Sequence, residues 1–87
     1  MQKYKINKGF IVQKLDNRTV IFDGEESVLY TFNETASYIF QKLKKGLNDK
    51  EIIEAVVKKY NSKGEKVRND YQELITDLLK KKIIKKL

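Results

Sequence analysis

Side chains able to act as nucleophiles, acids or metal ligands are sparse in this 87-residue chain. It has no Cys and no His. Thiolate chemistry and disulfides are therefore excluded, and the commonest general base and metal ligand are missing. The serine hydroxyls are Ser27, Ser37 and Ser62. Without His only a Ser–Lys pair could activate one of them, and each falls where a strand or a helix cap already accounts for it. The carboxylates are scattered over turns and helix faces, with no Asp-x-Asp-x-Asp loop for calcium. Gly9, Gly24, Gly46 and Gly64 occur singly, never as a loop that would cradle a phosphate. The inventory predicts a binding protein that is not an enzyme and carries no cofactor or metal.

Charge narrows the choice of partner. Lys plus Arg number 19 against 12 Asp plus Glu, a net charge of +7. Residues 1–40 are balanced, and the whole excess lies in residues 41–87. Lys80, Lys81, Lys82, Lys85 and Lys86 follow one another with no acid after Asp77, so residues 80–87 form a Lys-rich end suited to a solvated helix terminus. Nucleic acid is a poor fit to the remainder. Arg18 and Arg68 are the only arginines, whereas base reading relies on Arg, Asn and Gln. The faces holding Asp49, Lys50, Glu54 and Lys58, and Glu65, Arg68, Asp70, Glu73 and Asp77, are mixed in sign and would repel phosphates. No apolar run nears the roughly 18 residues of a membrane span, and the polar residues 1–8 have no signal-peptide core. A cytoplasmic protein without membrane contact is expected.

The elements that must position any binding surface are legible from periodicity. Phe10–Leu15, Thr19–Phe22 and Ser27–Phe32 are β-prone runs separated by the turn pairs Asp16-Asn17 and Asp23-Gly24. Short turns between three strands imply an antiparallel meander with the second strand in the middle. The period changes at Asn33, an N-cap residue, after which Ala36, Ile39, Phe40 and Leu43 follow helical spacing to Gly46. Asn48 with Glu51 and Ser62 with Glu65 are capping-box patterns opening two further helices. Ile52, Ile53, Val56, Val57 and Tyr60 face inward on one, and Val67, Tyr71, Leu74, Ile75 and Leu78 on the other. Ile83-Ile84 suits either a continued helix or an extended segment. The fold class is α+β, winged-helix-like, in the order βββααα, with all three helices packed on one face of the sheet. The chain reads as one domain, 1–87, with residues 1–8 as an N-terminal extension.

In such a meander the first and third strands are edges with unpaired N–H and C=O groups. Lys14 guards the first. The third, Ser27 to Phe32, has no charge, Pro or Gly, and is either covered by the fold or free to accept a peptide strand.

Val28-Leu29-Tyr30-Thr31-Phe32-Asn33-Glu34-Thr35-Ala36 resembles the strand-to-helix junction of the PqqD-like family, where a strand ends in Leu-Asn-Glu-Thr-Gly. The similarity continues through Ile39-Phe40, Leu47-Asn48-Asp49-Lys50-Glu51-Ile52-Ile53, Tyr60 and the Val67–Leu79 pattern. Phe32 stands in place of the usual Leu, and Ala36 in place of Gly. This family includes the pyrroloquinoline quinone biosynthesis chaperone and the RiPP recognition elements, which bind leaders of ribosomally made, post-translationally modified peptides (RiPPs).

The resemblance implies a stand-alone recognition element in which the leader of a precursor peptide adds as an antiparallel strand between the third strand and the third helix. The strand surface would be Ser27, Val28, Leu29, Tyr30, Thr31 and Phe32. The facing helix surface would be Val67, Arg68, Tyr71, Gln72 and Ile75, with Tyr71 and Ile75 as pocket walls and Arg68 pairing an acidic leader residue. A monomer would present the peptide to a modifying enzyme on a separate chain: a radical SAM enzyme, a lasso-type protease or another maturase. The alternatives from charge and shape are a small nucleic-acid-binding regulator using the Lys-rich end, and an adaptor that binds only the enzyme through the open sheet face.

Overall fold

The computed structural model describes residues 2–16 and 18–87. Eight elements follow in order: β1 (Tyr4–Ile6), β2 (Phe10–Leu15), β3 (Arg18–Asp23), β4 (Val28–Phe32), α1 (Glu34–Lys44), α2 (Asp49–Tyr60), α3 (Gly64–Lys80) and β5 (Ile84–Lys86). The central meander is the one expected: an antiparallel sheet in the order β2-β3-β4. Asp16 takes the left-handed φ of 53° that the first turn needs; its predicted partner Asn17 lies outside the described residues. The second turn is longer than an Asp-Gly hairpin. Asp23 pairs with Val28 across residues 24–27, because its carboxylate accepts the N–H groups of Glu25 (3.0 Å) and Glu26 (3.2 Å) and so builds the turn itself. Ser27, with a φ of 57°, closes that turn and lies outside β4, so the third strand begins one residue later than its apolar run.

Two strands lie outside the βββααα order. β1 falls within residues 1–8 and pairs antiparallel with β5 in a separate two-stranded ribbon. Ile84 opens the extended β5 and Ile83 forms the bend before it, with exposures of 2% and 0%. Lys82 adopts a φ of 60°, which breaks α3 and turns both isoleucines into the core. The Lys-rich end is thus anchored to the fold by its two isoleucines, with its lysines and Leu87 left outside.

Asn33 caps α1 by accepting the Ala36 N–H (2.9 Å), and Gly46, at φ +86°, ends it in a conformation that favours glycine. Asn48 and Glu51 complete a reciprocal capping box on α2. The third box does not form. Lys63 is the N-cap of α3 with no side-chain bond, and the Ser62 hydroxyl donates instead to the Tyr60 carbonyl.

One core unites Ile21 and Phe32 of the sheet, Ile39, Phe40 and Leu43 of α1, Ile52 and Val56 of α2, Val67, Tyr71, Ile75 and Leu78 of α3, and Ile83 and Ile84. The helices do not share one packing mode. α1 packs on β1, β3 and β4, whereas α3 packs mainly on α2 and β5. Expecting all three helices directly on the sheet was therefore incorrect. β5 packs beside α3, and α3 does not pack closely on β4.

Candidate functional site

β4 pairs only with β3 among the described residues, in the register Thr19–Phe32, Ile21–Tyr30 and Asp23–Val28. Its other edge is free. Along it the side chains alternate: Val28, Tyr30 and Phe32 turn toward the helices, and Leu29 and Thr31 to the outer face. Phe32 is buried and its ring lies 5.6 Å from that of Phe40. The Ser37 hydroxyl donates to the Phe32 carbonyl. These contacts fix the C-terminal end of β4 to α1, while Val28 and Leu29 at its start are exposed. The strand is thus held rigidly while its edge stays available, as strand addition requires.

The opposite wall is one flank of α3. Lys81 places its ammonium 5.1 Å from the Tyr30 ring centre and bonds Asp77 at 2.6 Å. Near the other end of the helix, Lys66 bonds Asp70 at 2.9 Å, and the pair lines a hollow of about 220 Å³ with Thr35, Ile39 and Tyr60. The Tyr60 hydroxyl oxygen is buried there and has no hydrogen-bond partner among the described residues. At 100° per residue, Lys66, Asp70, Leu74, Asp77 and Lys81 share this flank. Leu74 is half-buried, so the wall is apolar in the middle and charged at both ends.

Of the helix residues expected from sequence, Val67, Tyr71 and Ile75 sit in the core, at 5%, 1% and 3% exposure. Tyr71 is a tie more than a wall, since its hydroxyl donates to Asp49 Oδ1 at the start of α2 (2.5 Å). Burial first, and then this bond, push the Tyr71 phenol well above its ordinary pKa. Arg68 and Gln72 are exposed, but they line a hollow with Asp49, Lys50, Ile53 and Glu54 of α2, on the flank of α3 turned away from β4. The helix surface facing β4 is accordingly displaced from those two by more than a third of a turn. Lys66, Asp70, Leu74 and Lys81 escaped the sequence reading because the core stripe marks only which face is inward; the flank that meets β4 depends on the angle at which β5 holds the helix. The adjacent aromatic and ion-pair signals, Tyr30 and the (i, i+4) Lys–Asp pairs, were present in the sequence.

Three antiparallel strands with an unpaired edge, followed by three helices, define an α+β, winged-helix-like domain. Residues 18–84 match the family model for coenzyme PQQ synthesis protein D (PqqD), and the chain belongs to that family. Two solved structures share the fold. One, described as TbiB1 in complex with the TbiA(beta) leader peptide, superposes with a TM-score of 0.88 at 20% identity, covering 93% of this chain and 94% of that one. The other, lasso peptide synthetase B1 complexed with the leader peptide, gives 0.87 at 20% identity over 95% and 98%. No curated protein sequence matches significantly. Among the described residues no helix is long and apolar enough to cross a membrane, and no group of acidic side chains could hold a metal ion.

Proposed function

We propose that this protein is a non-catalytic recognition element of RiPP biosynthesis. It binds the leader of a precursor peptide as a strand added antiparallel to β4 and presents it to a modifying enzyme on a separate chain. The observation that carries the reading is the free, uncharged edge of β4 beside a helix that stands off from it. Family membership supports it, as do two structures of the same fold described as leader-peptide complexes. Main-chain hydrogen bonds along Val28–Thr31 supply affinity, and side chains pointing into the cleft meet Tyr30, Phe32 and the Lys66–Lys81 flank of α3. Holding a substrate beside its enzyme raises its effective concentration, so modest affinity suffices. The protein acts as a monomer in this role.

An amide-resolved NMR titration tests it, using the leader of the precursor peptide encoded beside its gene, with random-sequence duplex DNA as control. Saturable shifts at Val28–Phe32 and along Lys66–Lys81 with peptide alone are expected. Silence toward peptide, with salt-sensitive shifts at Lys80–Lys86 on adding DNA, would replace this reading with nucleic-acid binding. A second test uses proline. Successive N–H groups along a strand point to opposite sides, so Val28→Pro and Thr31→Pro remove one donor to β3 and one donor to the open edge. The variant that keeps its fold should lose peptide binding.

A further inference from the structure

We propose that the mouth of the cleft at the Val28 end selects precursor peptides with carboxylates just C-terminal to the strand-forming segment, read by Lys8, Lys80 and Lys82. This rests on the leader-binding reading above and deepens it. β4 begins beside Lys81, through Tyr30, and ends beside the Lys66–Asp70 hollow, through Thr35. A strand antiparallel to β4 therefore runs parallel to α3 and leaves at the helix C-terminus. There it enters a hollow of about 420 Å³ lined by Lys8 and Lys80–Lys82 together with Asp23, Glu25 and Glu26.

The two signs of charge are not equally available. Asp23 is engaged by its own turn, and Lys81 is engaged by Asp77. Lys8, Lys80 and Lys82 make no ion pair among the described residues. Lys82 is also placed in advance: its carbonyl accepts the Asn7 side-chain amide (2.7 Å), and its N–H donates to Leu79 (3.1 Å). Past the mouth, Lys5 and Lys85 stand directly opposite in the β1–β5 register. Like charges so placed cost stability, and an acidic segment crossing them relieves the repulsion. Glu25 and Glu26 repel such a segment, and the lysines of the same hollow attract it. They also disfavour a phosphate backbone there, whose closely spaced charges would meet them. Lysines as point charges suit single carboxylates.

The test is selection of a display library of random peptides on the intact protein and on a Lys80→Glu, Lys82→Glu double variant; both positions are exposed. Peptides that alternate apolar residues and then carry Asp or Glu toward their C-terminus are expected on the intact protein. The variant should lose the acidic preference, and a synthesised acidic winner should bind it about tenfold more weakly in low salt, with shifts at Val28–Phe32 retained. Winners with apolar alternation but no acidic bias would overturn this inference and leave leader binding standing. No enriched peptide, or winners that shift residues away from β4, would overturn both. Binding of random-sequence duplex DNA that the variant loses would assign the lysines to nucleic acid instead.

Discussion

The Tyr71 hydroxyl donates to Asp49 Oδ1 across 2.5 Å, joining the middle of α3 to the first turn of α2. Tyr71 is otherwise 1% exposed, so its ring fills the core while its one polar atom reaches a partly buried carboxylate. That carboxylate sits where the positive end of the α2 dipole favours a negative charge. The bond ties α3 to α2.

Removing that hydroxyl should be costly and separable from binding. Tyr71→Phe keeps the ring but leaves Asp49 without its donor, and hydrogen bonds to charged groups are worth about 1.5–3 kcal/mol. A loss near the lower end is expected in urea unfolding, because Asp49 is only partly buried. An unchanged midpoint would show that the bond contributes nothing.

The same residue gives a pH dependence. Burial, then the bond to Asp49, raise the Tyr71 pKa above its unfolded value of 10.0. The folded state therefore holds this proton more tightly than the unfolded chain. The resulting stability is complete below pH 10 and is lost as pH rises past the unfolded value. Tyr4, raised by burial and by Asp49, shifts in the same direction. Alkaline unfolding should steepen above pH 10 in the natural protein, and less so in Tyr71→Phe.

The C-terminal segment makes opposite predictions for two of its residues. Ile83→Ala empties a fully buried site and should cost about 2–5 kcal/mol. Lys85→Ala should be neutral or slightly stabilising, because it removes one of two like charges facing across the ladder. A destabilising Lys85→Ala would mean that the ammonium has a favourable partner in solution.

Much of this was readable from residue order. The meander followed from three β-prone runs and two turn pairs, and α1 and α2 from Asn33 and Asn48, because strand alternation and caps are local signals. The β1–β5 ribbon was not readable. Tyr4–Ile6 and Ile84–Lys86 are three residues each, too short for a period, and their pairing joins the two ends of the chain. Ser62 misled for a different reason: its hydroxyl turns back to the Tyr60 carbonyl, an alternative that Ser commonly takes. At the site, the edge strand was legible because absence of charge is a property of the run itself. Which residues of α3 come near β4 was not, because the approach of Lys81 to Tyr30 depends on distant packing.

Caps separate the two outcomes energetically. Asn48→Ala removes the side-chain oxygen that accepts the Glu51 N–H, while the Asn48 N–H keeps its bond to Glu51 Oε1, and should cost about 1 kcal/mol. Ser62→Ala should cost far less, since it caps nothing. Thermal unfolding of both variants checks this, and equal losses would contradict the uncapped start of α3.

The placement of the wall gives the sharpest test of the cleft. Tyr30 lies between the free edge and Lys81, so Tyr30→Ala removes the aromatic surface that an incoming side chain would meet. It should weaken leader binding about tenfold, or about 1.4 kcal/mol, in calorimetric titration with the leader encoded beside the gene. Arg68→Ala and Gln72→Ala alter the flank facing α2 and should leave affinity within about twofold, as surface changes remote from an interface do. If Arg68→Ala weakens binding as much as Tyr30→Ala, the peptide lies in the α2–α3 hollow and the added-strand arrangement is wrong. If neither matters, while Val28→Pro and Thr31→Pro do, the leader is held by main-chain pairing alone and its specificity lies elsewhere on the precursor.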